Sequence, residues 1–159
     1  SKNINLDELM GTNTKIDTLR EKIINDKGNA RVANLVAMRN DQPGILISVG
    51  YKTLEYQICL ANVGNTIVET KDNDLYKFMK DNYKSQINKA DKYLNTFGER
   101  TLTANEKINV AIVLWKCISQ KSTFAQDLSY RLDKLIGPNQ HPSFKVPQYI
   151  KDAITHVVG

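Results

Sequence analysis

Two cysteines, two histidines and a set of dispersed carboxylates are the groups in this chain able to do covalent, metal or acid–base chemistry, and their spacing assembles none of them. Cys59, Cys117, His141 and His156 stand far apart, with no CxxC, HxH or HExxH pattern, so no zinc centre of converging ligands is expected. The eight glycines are scattered and form neither GxGxxG nor GxxxxGK, which removes phosphate-cradling loops of the P-loop and Rossmann kind. Asp7-Glu8 and the Asp72, Asp74 pair read as helix N-terminal acids that complement the dipole, not as a hydrolytic pair. Cys117 falls in the most apolar stretch, where burial makes a thiol inert. Cys59 shares a predicted sheet face with Glu55 and Gln57 and is the candidate nucleophile of a cysteine-dependent enzyme, the weakest of the functional readings. No catalytic residue, cofactor or metal is expected.

The basic residues carry more information. Net charge is +5, and dividing the chain after Thr70 leaves eight Lys/Arg against eight Asp/Glu before the division and fourteen against nine after it. The whole excess therefore lies in residues 71–159. Lys77, Lys80 and Lys84 recur at i, i+3 and i+7 opposite an apolar stripe, Lys92 lies further along, and Lys121, Arg131 and Lys134 follow on a later helix. Such a face can track phosphates and bind in a salt-dependent, sequence-tolerant way. Lysines outnumber arginines by 17 to 5, whereas specific base readers lean on the arginine fork, so the alternative is a solvated surface. Tyr76, Tyr83 and Tyr93 are aromatics that could stack on bases, but at helical spacing they also fit a core. Residues 108–135 can be laid out as a helix-turn-helix with Gln126, Ser129, Tyr130, Arg131 and Lys134 outward, although the first helix is too apolar and the link lacks a glycine.

The elements that must position these residues follow from hydrophobic period. A short helical turn is expected at Asn5–Glu8, and a helix from Thr14 with Ile16, Leu19 and Ile23 inward, closed by Gly28. The period then falls to about 2, which predicts a small antiparallel meander of three or four strands over about residues 31–69: 31–39, 45–49, 53–60 and 66–69. Leu54, Tyr56, Ile58 and Leu60 alternate with Thr53, Glu55, Gln57 and Cys59, the pattern of a sheet with one wet face. An alternative joins residues 45–60 into one bent strand with a bulge at Gly50.

From Asp72 a stripe of Leu75, Met79, Tyr83, Ile87, Ala90, Leu94 and Phe97 predicts a long helix, with room for a break near Ser85–Asn88. Thr103-Ala104-Asn105-Glu106 is a capping box opening a helix apolar nearly all round, hence central and buried. Phe124, Leu128, Leu132 and Leu135 define the next helix, residues 138–147 with three of the four prolines a surface loop, and Ile150, Ala153, Ile154 and Val157 a last helix. The predicted fold class is therefore α+β in a single domain over residues 1–159: a short N-terminal helix, the meander, then a bundle of about four helices. The sheet half, 1–70, is neutral and the helical half, 71–159, is basic.

The functional expectation is a non-enzymatic binding protein that meets nucleic acid or an acidic protein surface through its lysine-rich helical face. The alternative is a viral or phage-type assembly or accessory subunit acting through a strand edge or the proline-rich loop, with a protein partner or self-assembly. The abundance of Asn, Lys and Ile fits an A/T-rich genome. The absence of any long apolar run or leader argues against a membrane span, and the two thiols inside apolar patterns suggest a reducing, cytoplasmic setting.

Overall fold

The computed structural model describes residues 6–10, 13–25, 54–135 and 143–146. The described elements are helices α1 (Leu6–Met10), α2 (Asn13–Asn25), α3 (Leu54–Ala61), α4 (Ile67–Asp72), α5 (Asp74–Asn82), α6 (Lys84–Leu94), α7 (Ala104–Cys117) and α8 (Lys121–Leu135), with a 3-10 turn at Asn95–Phe97 between α6 and α7. Helix accounts for 80% of the described residues and no strand occurs among them, so the molecule is mostly helical and the α+β expectation is wrong. The meander fails where it can be checked, since residues 54–60 belong to α3 and 67–69 to α4. The strands expected at 31–39 and 45–49, and the last helix from Pro147, lie outside the described residues.

The physical reason for the error at residues 54–60 is that short apolar runs satisfy two periods at once. Leu54, Tyr56, Ile58 and Leu60 do alternate, but Leu54 is exposed and Leu60 only partly buried. Tyr56, Cys59 and Val63 are buried, and they stand at i, i+3 and i+7, one face of a helix. That face packs on α7, the most extensive helix pairing among the described residues. At residues 66–69 the overlooked signal is Thr66-Ile67-Val68-Glu69, the same S/T-x-x-E pattern as at Thr103. Thr66 Oγ1 accepts from the Glu69 N–H at 3.2 Å, and Glu69 Oε2 accepts from the Asn65 N–H at 2.8 Å, so both groups fasten the start of α4.

Helix α7 is the centre, as its all-round apolarity requires. Val110, Ala111, Ile112, Val113, Leu114 and Cys117 are all buried, with α3, α2, α6 and α1 around them. Its capping box is complete: the Thr103 hydroxyl accepts from the Glu106 N–H at 3.2 Å and the Glu106 carboxylate accepts from the Thr103 N–H at 2.9 Å. The Arg100 guanidinium pairs with the same carboxylate, Nη1 to Oε1 at 2.7 Å.

The stripe from Leu75 to Phe97 is buried at every expected position, but it does not lie on one helix. Asn73 caps α5 by accepting the Leu75 N–H at 2.7 Å, and the chain leaves the helical region at Tyr83 (φ −129°, ψ 45°). The Tyr83 N–H still donates to Met79 O, and Tyr83 O accepts from the Ile87 N–H, so the residue closes α5 and opens α6 without orphaning either group. The kink buries the Tyr83 ring edge-on against Phe78, whose other side meets Phe124 of α8.

Candidate nucleic-acid interface

Helix α8 packs against α5 and α3, with Phe124 and Leu128 in the core. On a helix of 3.6 residues per turn, Asp127, Arg131 and Lys134 share the flank turned toward α5. Together with Tyr130, Asn82 and the ring of Phe78 they line an open groove of about 320 Å³. Arg131 Nη1 reaches Asp81 Oδ2 on α5 at 2.8 Å and bridges the two helices. One turn before Asp81, Lys77 is exposed on the same side of α5. Tyr130 is 64% exposed, the most open large hydrophobic side chain among the described residues, and the Lys134 ammonium stands 4.3 Å from its ring centroid. An accessible aromatic face beside a cation can take a base on the ring and its phosphate on the ammonium.

The expected basic residues distribute unevenly. Arg131 and Lys134 line this groove, and Lys77 is exposed on α5 but is not among its lining residues. Lys80 is exposed on the far side of α5 from Asn82, and Lys84 begins α6 beyond the Tyr83 kink. The i, i+3, i+7 edge through Lys77, Lys80 and Lys84 is thus interrupted between Lys80 and Lys84. Lys92 is exposed on the solvent face of α6, opposite buried Ile87 and Leu94. Lys121 opens α8 about 15–20 Å along the axis from Lys134, given a rise of about 1.5 Å per residue.

Lys121, expected from the sequence, belongs to a second basic locus whose other members, Trp115 and Lys116, sequence reasoning missed. Its ammonium lies 5.1 Å from the Trp115 ring centroid, and Lys116 lies 4.4 Å from the same centroid. Burial lowers the Lys116 pKa, and the neighbouring Lys121 charge lowers it further. The indole also makes a T-shaped contact with the Tyr56 ring, centroids 5.6 Å apart, and its N–H is buried with no hydrogen-bond partner among the described residues. The available signal was the pair Trp115-Lys116, large and polar residues at the end of an otherwise apolar helix.

The other candidates resolve as structure. Tyr76 and Tyr83 are buried, and Tyr93 packs edge-on against Phe97, so none offers a free face. Tyr76 donates to the Asp91 carboxylate, and burial with that bond pushes its pKa well up. Cys59, expected on a wet sheet face, is wholly buried on α3. Burial, then the nearby Cys117 and Glu55, raise its thiol well above the usual range, and Cys117 is pushed up to about 12 mainly by burial. Both are free thiols. Among the described residues no group of three His, Cys, Asp or Glu side chains could hold a metal ion. His141 and His156 lie outside the described residues. Among the described residues no helix is long and apolar enough to cross a membrane. Comparison with protein-family models, with curated proteins and with solved structures gives no match to this chain.

Proposed function

We propose that this is a non-enzymatic binding protein that holds single-stranded nucleic acid in the groove between α5 and α8. The observation that carries the reading is the exposed Tyr130 ring with the Lys134 ammonium 4.3 Å from its centroid. A stacked base and its phosphate are the ligand that uses both groups, because every base has a π-face and every nucleotide a charge. Lys77 and Lys134 supply phosphate contacts, while Arg131 is held by Asp81 and adds rigidity. The contacts are sequence-tolerant, since none of these lysines presents a fork matched to a base edge. Two buried free thiols suit a reducing compartment such as the cytoplasm.

The test is a fluorescence-anisotropy titration of a labelled mixed-sequence oligonucleotide at increasing salt. The logarithm of affinity should fall linearly with the logarithm of salt, with a slope of about −0.7 per phosphate contacted. No binding at about 50 mM salt, within the screening regime where such contacts act, rules the proposal out.

A further inference from the structure

The groove between α5 and α8 holds a carboxylate that phosphate binding does not use. Asp127 is exposed, lines the groove and forms no hydrogen bond or ion pair among the described residues. Arg131, the cation one turn further along α8, is drawn instead to Asp81 at 2.8 Å. The Asp127 charge acts toward α5: after burial, it is what raises the pKa of Tyr83, the residue that closes α5. Asn82 adds a second acceptor to the same groove. Its Nδ2 donates to Phe78 O at 2.9 Å, which leaves Oδ1 without a donor among the described residues.

Asp127, Tyr130 and Lys134 follow one another on one flank of α8, the first and last about 10 Å apart along the axis at about 1.5 Å per residue. The flank thus runs acceptor, aromatic ring, cation. A nucleotide carries the complementary order over a comparable length, from the edge of its base through its π-face to its phosphate. The acid also fixes the direction, because a phosphate beside an uncompensated carboxylate is repelled.

The base at the acid end must therefore present donors. Adenine and cytosine offer one exocyclic amine beside a ring-nitrogen acceptor, and thymine and uracil one N–H between two carbonyls. Guanine alone has two adjacent donors, N1–H and the N2 amine, to match the two oxygens of a carboxylate. A guanidinium of a protein partner offers a similar pair, but Arg131 and Lys134 in the same groove repel it.

We propose that the groove selects guanine within a single strand, the Asp127 carboxylate accepting from N1–H and the N2 amine of a base stacked on Tyr130 while Lys134 holds its phosphate. The inference rests on the nucleic-acid reading of the groove and adds a preference at one base to lysine contacts that read none.

Anisotropy titration of the full chain with labelled dT octamers that differ only at one central position tests this. The octamer with a single dG should bind about tenfold more tightly than the all-dT octamer, the order of discrimination of one bidentate contact to a base. Deoxyinosine, which lacks only the N2 amine, should give an intermediate affinity, and dA should stay within about threefold of dT, since stacking alone is sequence-tolerant. Asp127→Asn should erase the guanine advantage and at the same time tighten binding of the all-dT octamer, because a repulsive charge is removed; loss of folding would weaken both. Octamers that bind equally whatever the central base, or a guanine preference that Asp127→Asn retains, overturn guanine selection and leave the nucleic-acid reading standing. No binding by any octamer overturns both. A labelled arginine-rich peptide whose binding is lost in Asp127→Asn, while the dG octamer shows no advantage, assigns the carboxylate to a guanidinium and overturns the proposal.

Discussion

Arg131 Nη1 lies 2.8 Å from Asp81 Oδ2 across the seam between α5 and α8, so the one arginine of α8 is committed to the fold and not offered to a ligand. Asp81 also places a negative charge beside the exposed Lys77. Asp81→Asn should therefore tighten oligonucleotide binding severalfold by freeing the guanidinium and removing a repulsive charge. It should cost no more than about 1 kcal/mol of stability, since the pair is largely exposed. Anisotropy titration and urea unfolding of the same variant check both halves; weaker binding by Asp81→Asn would contradict the assignment of the groove.

Tyr130→Ala should weaken single-stranded binding by about 1–3 kcal/mol, the usual contribution of one stacked base. Lys134→Gln should flatten the salt dependence by roughly one phosphate contact. The separation matters because the first variant should leave the salt slope unchanged while the second should not.

The buried thiols give a chemical readout. Burial, followed by Cys117 and Glu55, raises the Cys59 pKa, and burial followed by Asp91 raises that of Cys117 to about 12. At pH 8 both therefore remain protonated and shielded, and iodoacetamide should modify neither in the folded chain, while both react in urea. Stoichiometric labelling of Cys59 in the native state would revive a cysteine nucleophile.

Glu106 is held at about 2, well below its usual 4.5, first by the Arg100 guanidinium and then by the Thr103 N–H. Because the folded state depresses this pKa, its stabilisation is present above pH 4.5 and is lost as pH falls toward 2. Glu106→Gln keeps an acceptor for Thr103 but not the charge. The gap in melting temperature between it and the unmodified chain should be widest near neutral pH and should close near pH 2. A gap that is constant with pH would show that Arg100 contributes nothing through charge.

Gly98 adopts φ +61° and ψ −142°, a backbone conformation costly for any residue with a Cβ, where the chain leaves the 3-10 turn. A Cβ there would meet nothing within 4 Å, so the cost of Gly98→Ala is conformational and not steric. It should be about 1–2 kcal/mol, read as a fall of a few degrees in thermal melting.

Local rules settled much of the helical structure. The Thr103–Glu106 box, the inward face of α2 at Ile16 and Ile23, the apolar girth of α7 and the buried stripe from Leu75 to Phe97 follow from capping chemistry and a 3.6-residue period. Thr66–Glu69 was equally readable, but it lies where apolar alternation suggested a strand, and the two local signals compete.

What the chain alone could not decide is which period wins at Tyr56–Cys59, because both a strand and a helix place some of those side chains inward. Packing against α7 selects the helix by burying Tyr56, Cys59 and Val63 together. Nor could it decide which cations stay free. Arg131 is drawn to Asp81 fifty residues away and Lys121 to the face of Trp115, while Lys134 stays beside an open tyrosine. The sequence determined the composition of the basic half and the identities of its core residues through short-range propensity. Helix kinks, ion-pair partners and the hydrogen bonds of Asn62 to the Lys145 backbone arise from contacts between residues distant in sequence, and only the tertiary structure brings those within hydrogen-bonding range.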